Sequence, residues 1–112
     1  MVAKLYVPDR GDIVWVDFNP TKGREQSKVR PAIVLSPRTY NQKTNLAIMC
    51  PLTSVVKGYP FEVIVSSKEI EGVILSDHVR SLDWKARNAK FIVKAKPKVL
   101  REVLQKLNLL IN

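Results

Sequence analysis

The sequence predicts a mainly β domain finished by a C-terminal α-helix, its strands forming a small antiparallel barrel or a strongly bent sheet. Two observations lead there. Short β-branched and aromatic runs recur along most of the chain with Gly, Pro and Asn between them, and a helical apolar period appears only at the C-terminus.

Residues 12–18 hold Ile13, Val14, Trp15, Val16 and Phe18 in a run too short for a helix, bounded by Gly11 and by Asn19-Pro20, which makes it a strand. Residues 20–30 then collect Lys22, Arg24, Lys28 and Arg30 against Glu25 alone, with Gly23 to keep the backbone supple. This reads as a basic loop of a length that is often functional. Pro31 opens a second strand through Ala32, Ile33, Val34 and Leu35, and Pro37 closes it. A third strand covers residues 46–52, interrupted near its end by Pro51. In a fourth, Phe61, Val63 and Val65 alternate with Glu62 and Ile64 after Gly58-Tyr59-Pro60, and residues 72–76 give a fifth. A brief helical turn is expected around residues 84–87.

At the C-terminus Val99, Leu100, Val103, Leu104, Leu107, Leu110 and Ile111 recur at three- and four-residue spacing, the pattern of one helical face. Pro97 suits the first turn. Lys98, Arg101, Glu102, Gln105 and Lys106 fall on the other side, so the helix should pack on the sheet, its apolar stripe serving as core and not as a cofactor site.

A chain of 112 residues has room for one domain with one core, expected to span residues 1–112. Nineteen Lys and Arg against ten Asp and Glu leave a net charge of +9, which points to a polyanionic partner or to a lysine-solubilised surface. Cys50 is the one cysteine and His78 the one histidine, so neither an internal disulfide nor a Cys/His zinc site can be assembled, and a reducing cytoplasm fits. No signal peptide or membrane span is legible. A domain this small buries only roughly 60–68% of the surface its unfolded chain exposes, which favours a homodimer.

The residue inventory excludes several chemistries. Gly11, Gly23, Gly58 and Gly72 cannot form a G-x-G-x-x-G fingerprint or a Walker loop, which disfavours nucleotide hydrolysis and dinucleotide redox reactions. The carboxylates are few and scattered, poorly suited to a two-metal site, and one histidine cannot run a His/His acid-base pair within one chain. RNA, however, carries its own nucleophile in the 2′-hydroxyl beside the scissile phosphate. A protein needs only to align it, take its proton, neutralise charge on the phosphoryl oxygens and protonate the leaving 5′-oxygen. Arginine suits the charge step because its planar fork binds phosphate bidentately and stays charged.

The string from Gly11 to Leu35, GDIVWVDFNPTKGREQSKVRPAIVL, closely resembles the first strand, basic loop and second strand of the MazF/PemK family of bacterial toxins. Cys50-Pro51-Leu52-Thr53, the run Lys57-Gly58-Tyr59-Pro60-Phe61-Glu62-Val63 and the run Gly72-Val73-Ile74-Leu75-Ser76-Asp77 do so as well, and the likeness covers essentially the whole chain, looking closest to the MazF branch. The resemblance implies a homodimer of SH3-like, CcdB/PemK-type barrels. Such a toxin cleaves single-stranded RNA at short motifs without metal or cofactor, leaving a 2′,3′-cyclic phosphate and a 5′-hydroxyl and so stopping translation and growth. It also implies a MazE-like antitoxin whose acidic C-terminal tail competes for the RNA groove.

By the same resemblance Arg30 and Thr53 match the positions that hold and polarise the scissile phosphate. Glu25 matches a loop acid linked to activity and is the candidate base for the 2′-hydroxyl, although nearby arginines would depress its pKa and leave pinning of the loop as its alternative role. Asp77 matches the proposed base of PemK-like members. It is the second choice, because Leu75 stands where those members place an arginine. His78 stands where MazF-like members commonly carry glutamine, and Arg24 replaces a histidine or small residue. Together with Lys28, Lys57, Tyr59, Arg80 and Arg87, these two are the candidate RNA contacts. Trp15 and Trp84 are suited to base stacking or to core and dimer packing. A CcdB-like gyrase poison and a non-catalytic RNA-binding module are the alternative functions.

Overall fold

The computed structural model describes residues 5–18 and 29–112. Seven strands and two helices run in the order β1 (Asp12–Asp17), β2 (Val29–Val34), α1 (Arg38–Thr44), β3 (Leu46–Thr53), β4 (Glu62–Ser66), β5 (Glu71–Leu75), β6 (Arg80–Asp83), β7 (Lys90–Lys94) and α2 (Pro97–Ile111). All pairings are antiparallel. The sheet reads β4-β5-β3-β2-β1-β7, with β6 also paired to β3.

The curl of the sheet originates in β3. Its first half, Leu46 to Met49, pairs with β6, while Leu52 and Thr53 pair with β5, so one strand serves two sheets. Pro51 falls in the gap where β6 has left and β5 has not yet joined, a place where a residue without an N–H does least harm to the ladder. The strand is therefore continuous through Pro51 and not interrupted there. Similarly, β2 begins at Val29, two residues before Pro31, and Val29 and Arg30 pair with Asp17 and Val16. Pro31 is tolerated inside the strand because β3 joins β2 only from Ala32 onward.

Both faces of the central strands are buried, which explains the unbroken apolar run of β1. Ile13 and Ile33 face a cluster with Leu52, Val63, Ile74 and, from α2, Val103 and Leu107. Val14, Val16, Ala32 and Val34 face a second cluster with Met49, Leu82 and Trp84. Each fully buried aliphatic side chain contributes about 1.5–3 kcal/mol of transfer free energy.

Three elements are absent from the sequence reading. Pro37 does not merely end β2: it is the N-cap of α1, whose C-cap Asn45 adopts φ 60° and donates its N–H to the Asn41 carbonyl. The one buried residue of α1 is polar Asn41, whose amide donates to the carbonyls of Pro8 and Ser36. Strand β6 buries a single aliphatic residue, Leu82, and β7 carries a bulge opposite Ile13 and Val14 that breaks its alternation. The turn expected around Trp84 to Arg87 is present, closed by the Arg87 N–H on the Asp83 carbonyl. Among the described residues no helix is long and apolar enough to cross a membrane.

Candidate active site

Adjacency of β2 and β3 brings Arg30 and Thr53 together. The β2–β3 pairing ends at Ala32–Pro51, and Arg30 and Thr53, each two residues beyond that last pair, line one hollow of about 440 Å³ with Trp15, Pro31, Val55 and Glu71. By register alone Arg30, opposite Val16, and Trp15, opposite Pro31, would face opposite sides of the sheet. The hollow takes both because β3 has parted from β2 there, leaving the edge of β2 open. Arg30 is exposed, and no carboxylate among the described residues pairs with it.

The hydroxyl of Thr53 is oriented by its own turn, since Oγ1 accepts the Val55 N–H at 3.1 Å. With one lone pair so engaged, its proton is available to donate to a phosphate oxygen. Lys57 and Tyr59 sit on the loop that follows, and that loop is fixed by a residue the sequence reading treated only as part of a strand. Glu62 accepts the N–H groups of Lys57 and Gly58, one on each carboxylate oxygen and both at 2.9 Å. Gly58, at φ 83°, supplies the left-handed conformation the turn requires. Lys106 of α2 donates to the Pro60 carbonyl and ties the helix to the same loop.

A second polar cluster forms beyond β5. Tyr59 donates its hydroxyl to Asp77 Oδ1 at 2.8 Å, and His78 Nε2 lies 3.9 Å from that oxygen. Partial burial, with the hydrogen bond and charge of Asp77 added, pushes the Tyr59 phenol up to about 12. Asp77 lies in the turn that follows β5, four residues beyond Val73, the partner of Thr53. Two groupings follow from these contacts: Arg30 and Thr53 line one hollow, while Tyr59, Asp77 and His78 touch one another in a polar cluster after β5.

Arg80 lies with its guanidinium carbon 5.5 Å from the centroid of the Phe18 ring, a cation–π geometry that leaves it exposed at the start of β6. Arg87 has a structural duty, donating from Nη1 to the Asp17 carbonyl while its own carbonyl accepts the Asp17 N–H. Arg24, Glu25 and Lys28 lie outside the described residues. The two tryptophans separate: Trp84 is core, its indole N–H donating to the Asn41 carbonyl, whereas Trp15 is 39% exposed.

Two further carboxylates, Asp9 and Asp12, are engaged within the fold. Buried Asp12 accepts from Tyr6, from the Asp9 N–H and from Lys94, and Asp9 accepts the N–H groups of Arg10 and Arg38. Those two backbone donors hold the Asp9 carboxyl below its ordinary value. Acidic charge is thus partly consumed internally while the basic surplus faces outward. Among the described residues no three His, Cys, Asp or Glu side chains gather as metal ligands would.

Residues 9–111 match the family model for the PemK-like, MazF-like toxin of type II toxin-antitoxin systems. The chain is 51% identical to the endoribonuclease toxin MazF of Escherichia coli strain K12 over 111 residues, which is 99% of both chains, and 32% identical to the Escherichia coli endoribonuclease PemK over 105 residues, covering 89% of this chain and 79% of PemK. A solved MazE-MazF structure from Deinococcus radiodurans superposes with a TM-score of 0.89 at 50% identity, covering 95% of this chain and 96% of that one. The bent antiparallel sheet with its C-terminal helix is therefore the CcdB/PemK-type fold.

Proposed function

The chain belongs to the PemK-like, MazF-like toxin family of type II toxin-antitoxin systems, and on that premise we propose that it is a metal-independent endoribonuclease of single-stranded RNA whose catalytic hollow is built on Arg30 and Thr53. The observation that carries this reading is the meeting of those two side chains, 23 positions apart in sequence, at one open edge of the sheet.

The chemistry needs no group that RNA and this chain lack. The substrate's 2′-hydroxyl attacks the adjacent phosphorus while a base takes its proton. The Arg30 fork and the Thr53 hydroxyl neutralise charge on the non-bridging oxygens, the bond from phosphorus to the 5′-oxygen breaks, and that oxygen takes its proton from water. A 2′,3′-cyclic phosphate and a 5′-hydroxyl result. Glu25 is the first candidate base. Asp77 is the second, with one of its oxygens already accepting from Tyr59. Lys57, Tyr59, His78 and Arg80 then contact flanking nucleotides, with Arg24 and Lys28 of the basic loop, while Arg87 contributes chiefly by holding the end of β1.

The partner is a MazE-like antitoxin with an acidic tail, the protein acts in the cytoplasm as a homodimer, and cleavage of messenger RNA stops growth. The basic surface supports the tail, and the Deinococcus radiodurans MazE-MazF complex is a structural precedent at 50% identity. The test is cleavage of mixed-sequence RNA in excess EDTA by the wild type, Arg30→Ala and Thr53→Val. Wild-type cleavage is expected, with Arg30→Ala slower by roughly 10²–10³, the usual loss for one preorganised transition-state donor. An Arg30→Ala rate equal to wild type removes Arg30 from the mechanism, and RNA that binds but stays intact points to a binding module instead.

A further inference from the structure

Trp15 stands apart in β1. Its neighbours Ile13, Val14 and Val16 are fully buried, each on one of the two clusters, yet the indole between them is 39% exposed in the middle of a strand. A side chain of that size left wet in a core strand forgoes apolar burial of a few kcal/mol, so something other than packing accounts for its place. The surroundings say what. It lines the hollow that holds Arg30 and Thr53, and Arg30 pairs with Val16, the next residue along β1. Strands lie about 4.8 Å apart, so a phosphate at Arg30 and a base over the indole fall within the span of one or two nucleotides.

We infer that Trp15 is the stacking platform for an RNA base flanking the phosphate held at Arg30 and Thr53. A strand crossing the open edge of β2 meets the guanidinium on one side and the indole on the other. Pro31 and Val55 extend the apolar wall beside the ring, and Glu71 on the rim disfavours a second phosphate there while accepting from a base amino group. On the far side Lys90, the register partner of Trp15 on edge strand β7, is exposed where the next phosphate would emerge. Stacking is indifferent to base identity, because every base has a π-face, so Trp15 sets affinity and register while edge contacts elsewhere set the motif. The inference rests on the RNA-cleaving reading above.

The test uses selectively excited tryptophan fluorescence, which only Trp15 and Trp84 supply. Titrating the intact protein with mixed-sequence 2′-O-methyl RNA, which lacks the nucleophile, should quench emission saturably in the wild type and leave Trp15→Phe unquenched. In cleavage assays Trp15→Leu should raise KM by roughly 5- to 150-fold, the alanine-scan range for one stacked base, with the loss concentrated in KM and Trp15→Phe restoring most of it. Equal quenching of Trp15→Phe and wild type would overturn the inference, as would a Trp15→Leu variant that sediments as a smaller species, since the indole would then belong to a subunit contact. If wild type quenches through Trp15 but cleaves nothing, the nuclease reading fails and the stacking site stands. Cleavage with no Trp15-dependent quench gives the reverse.

Discussion

Cys50 lies fully buried between the two halves of β3, its thiol directed to the Ser76 carbonyl at 3.7 Å. Burial, and secondarily the charge of Asp77, push that thiol up to about 12. Because the folded value exceeds the unfolded one of about 8.5, the contribution to stability is fully present below about pH 8.5 and is lost as pH rises toward the folded value. We predict that a thiol reagent at about pH 8 labels Cys50 only after denaturation, and that resistance to urea falls more steeply above about pH 9 in the wild type than in Cys50→Ala. Stoichiometric labelling of the native protein within minutes would refute this. Other residues were hidden from sequence reading because their partners are distant or backbone. Glu62 looked like one polar position of an alternating strand, and nothing local revealed that both its oxygens hold the preceding loop. Asp12 did offer a signal, an acid opening an apolar run, and proves to be buried against Tyr6 and Lys94.

Among elements, legibility followed apolar pattern. Strands β1, β3, β4 and β5 each bury several β-branched or aliphatic side chains and were readable to within a residue or two. Helix α1 buries only Asn41 and β6 only Leu82, so no period exists to be found, and the bulge in β7 breaks the one it has. Helix α2 was located correctly, but its stripe is not all core. Val103 and Leu107 are buried, whereas Leu110 is 53% and Ile111 73% exposed in the last turn. Pro97, Leu100, Leu104 and Ile111 line an apolar hollow of about 580 Å³. An apolar face of this kind on a small domain fits a second copy of the chain. Sedimentation should therefore show a dimer for the wild type and a monomer with an unchanged circular dichroism spectrum for the double variant Leu110→Glu, Ile111→Glu. A wild type that stays monomeric at tens of micromolar contradicts that assignment.

At the scale of the molecule, a net charge of +9 and an open sheet edge belong to one proposal. Where β3 parts from β2 the edge of β2 opens and Arg30 lies exposed beside Thr53, and on the proposed function the positive net charge would draw a polyanion there. The chemical candidates Arg30 and Thr53 are legible because they lie in strings that resemble known toxins, yet the grouping of Asp77 with Tyr59 and His78 is not, since it depends on how the turn after β5 meets the loop before β4. The proposed cleavage uses the substrate's own 2′-hydroxyl as nucleophile. Its most direct test is an oligoribonucleotide carrying the cleaved site, incubated in EDTA beside a copy with one 2′-deoxy sugar on the 5′ side of the cut, with product ends read by mass spectrometry. The expected products are a 2′,3′-cyclic phosphate and a 5′-hydroxyl from the first, with no cut at that position in the second. Cleavage of the deoxy-substituted copy, or a dependence on added magnesium, would contradict the proposed cleavage.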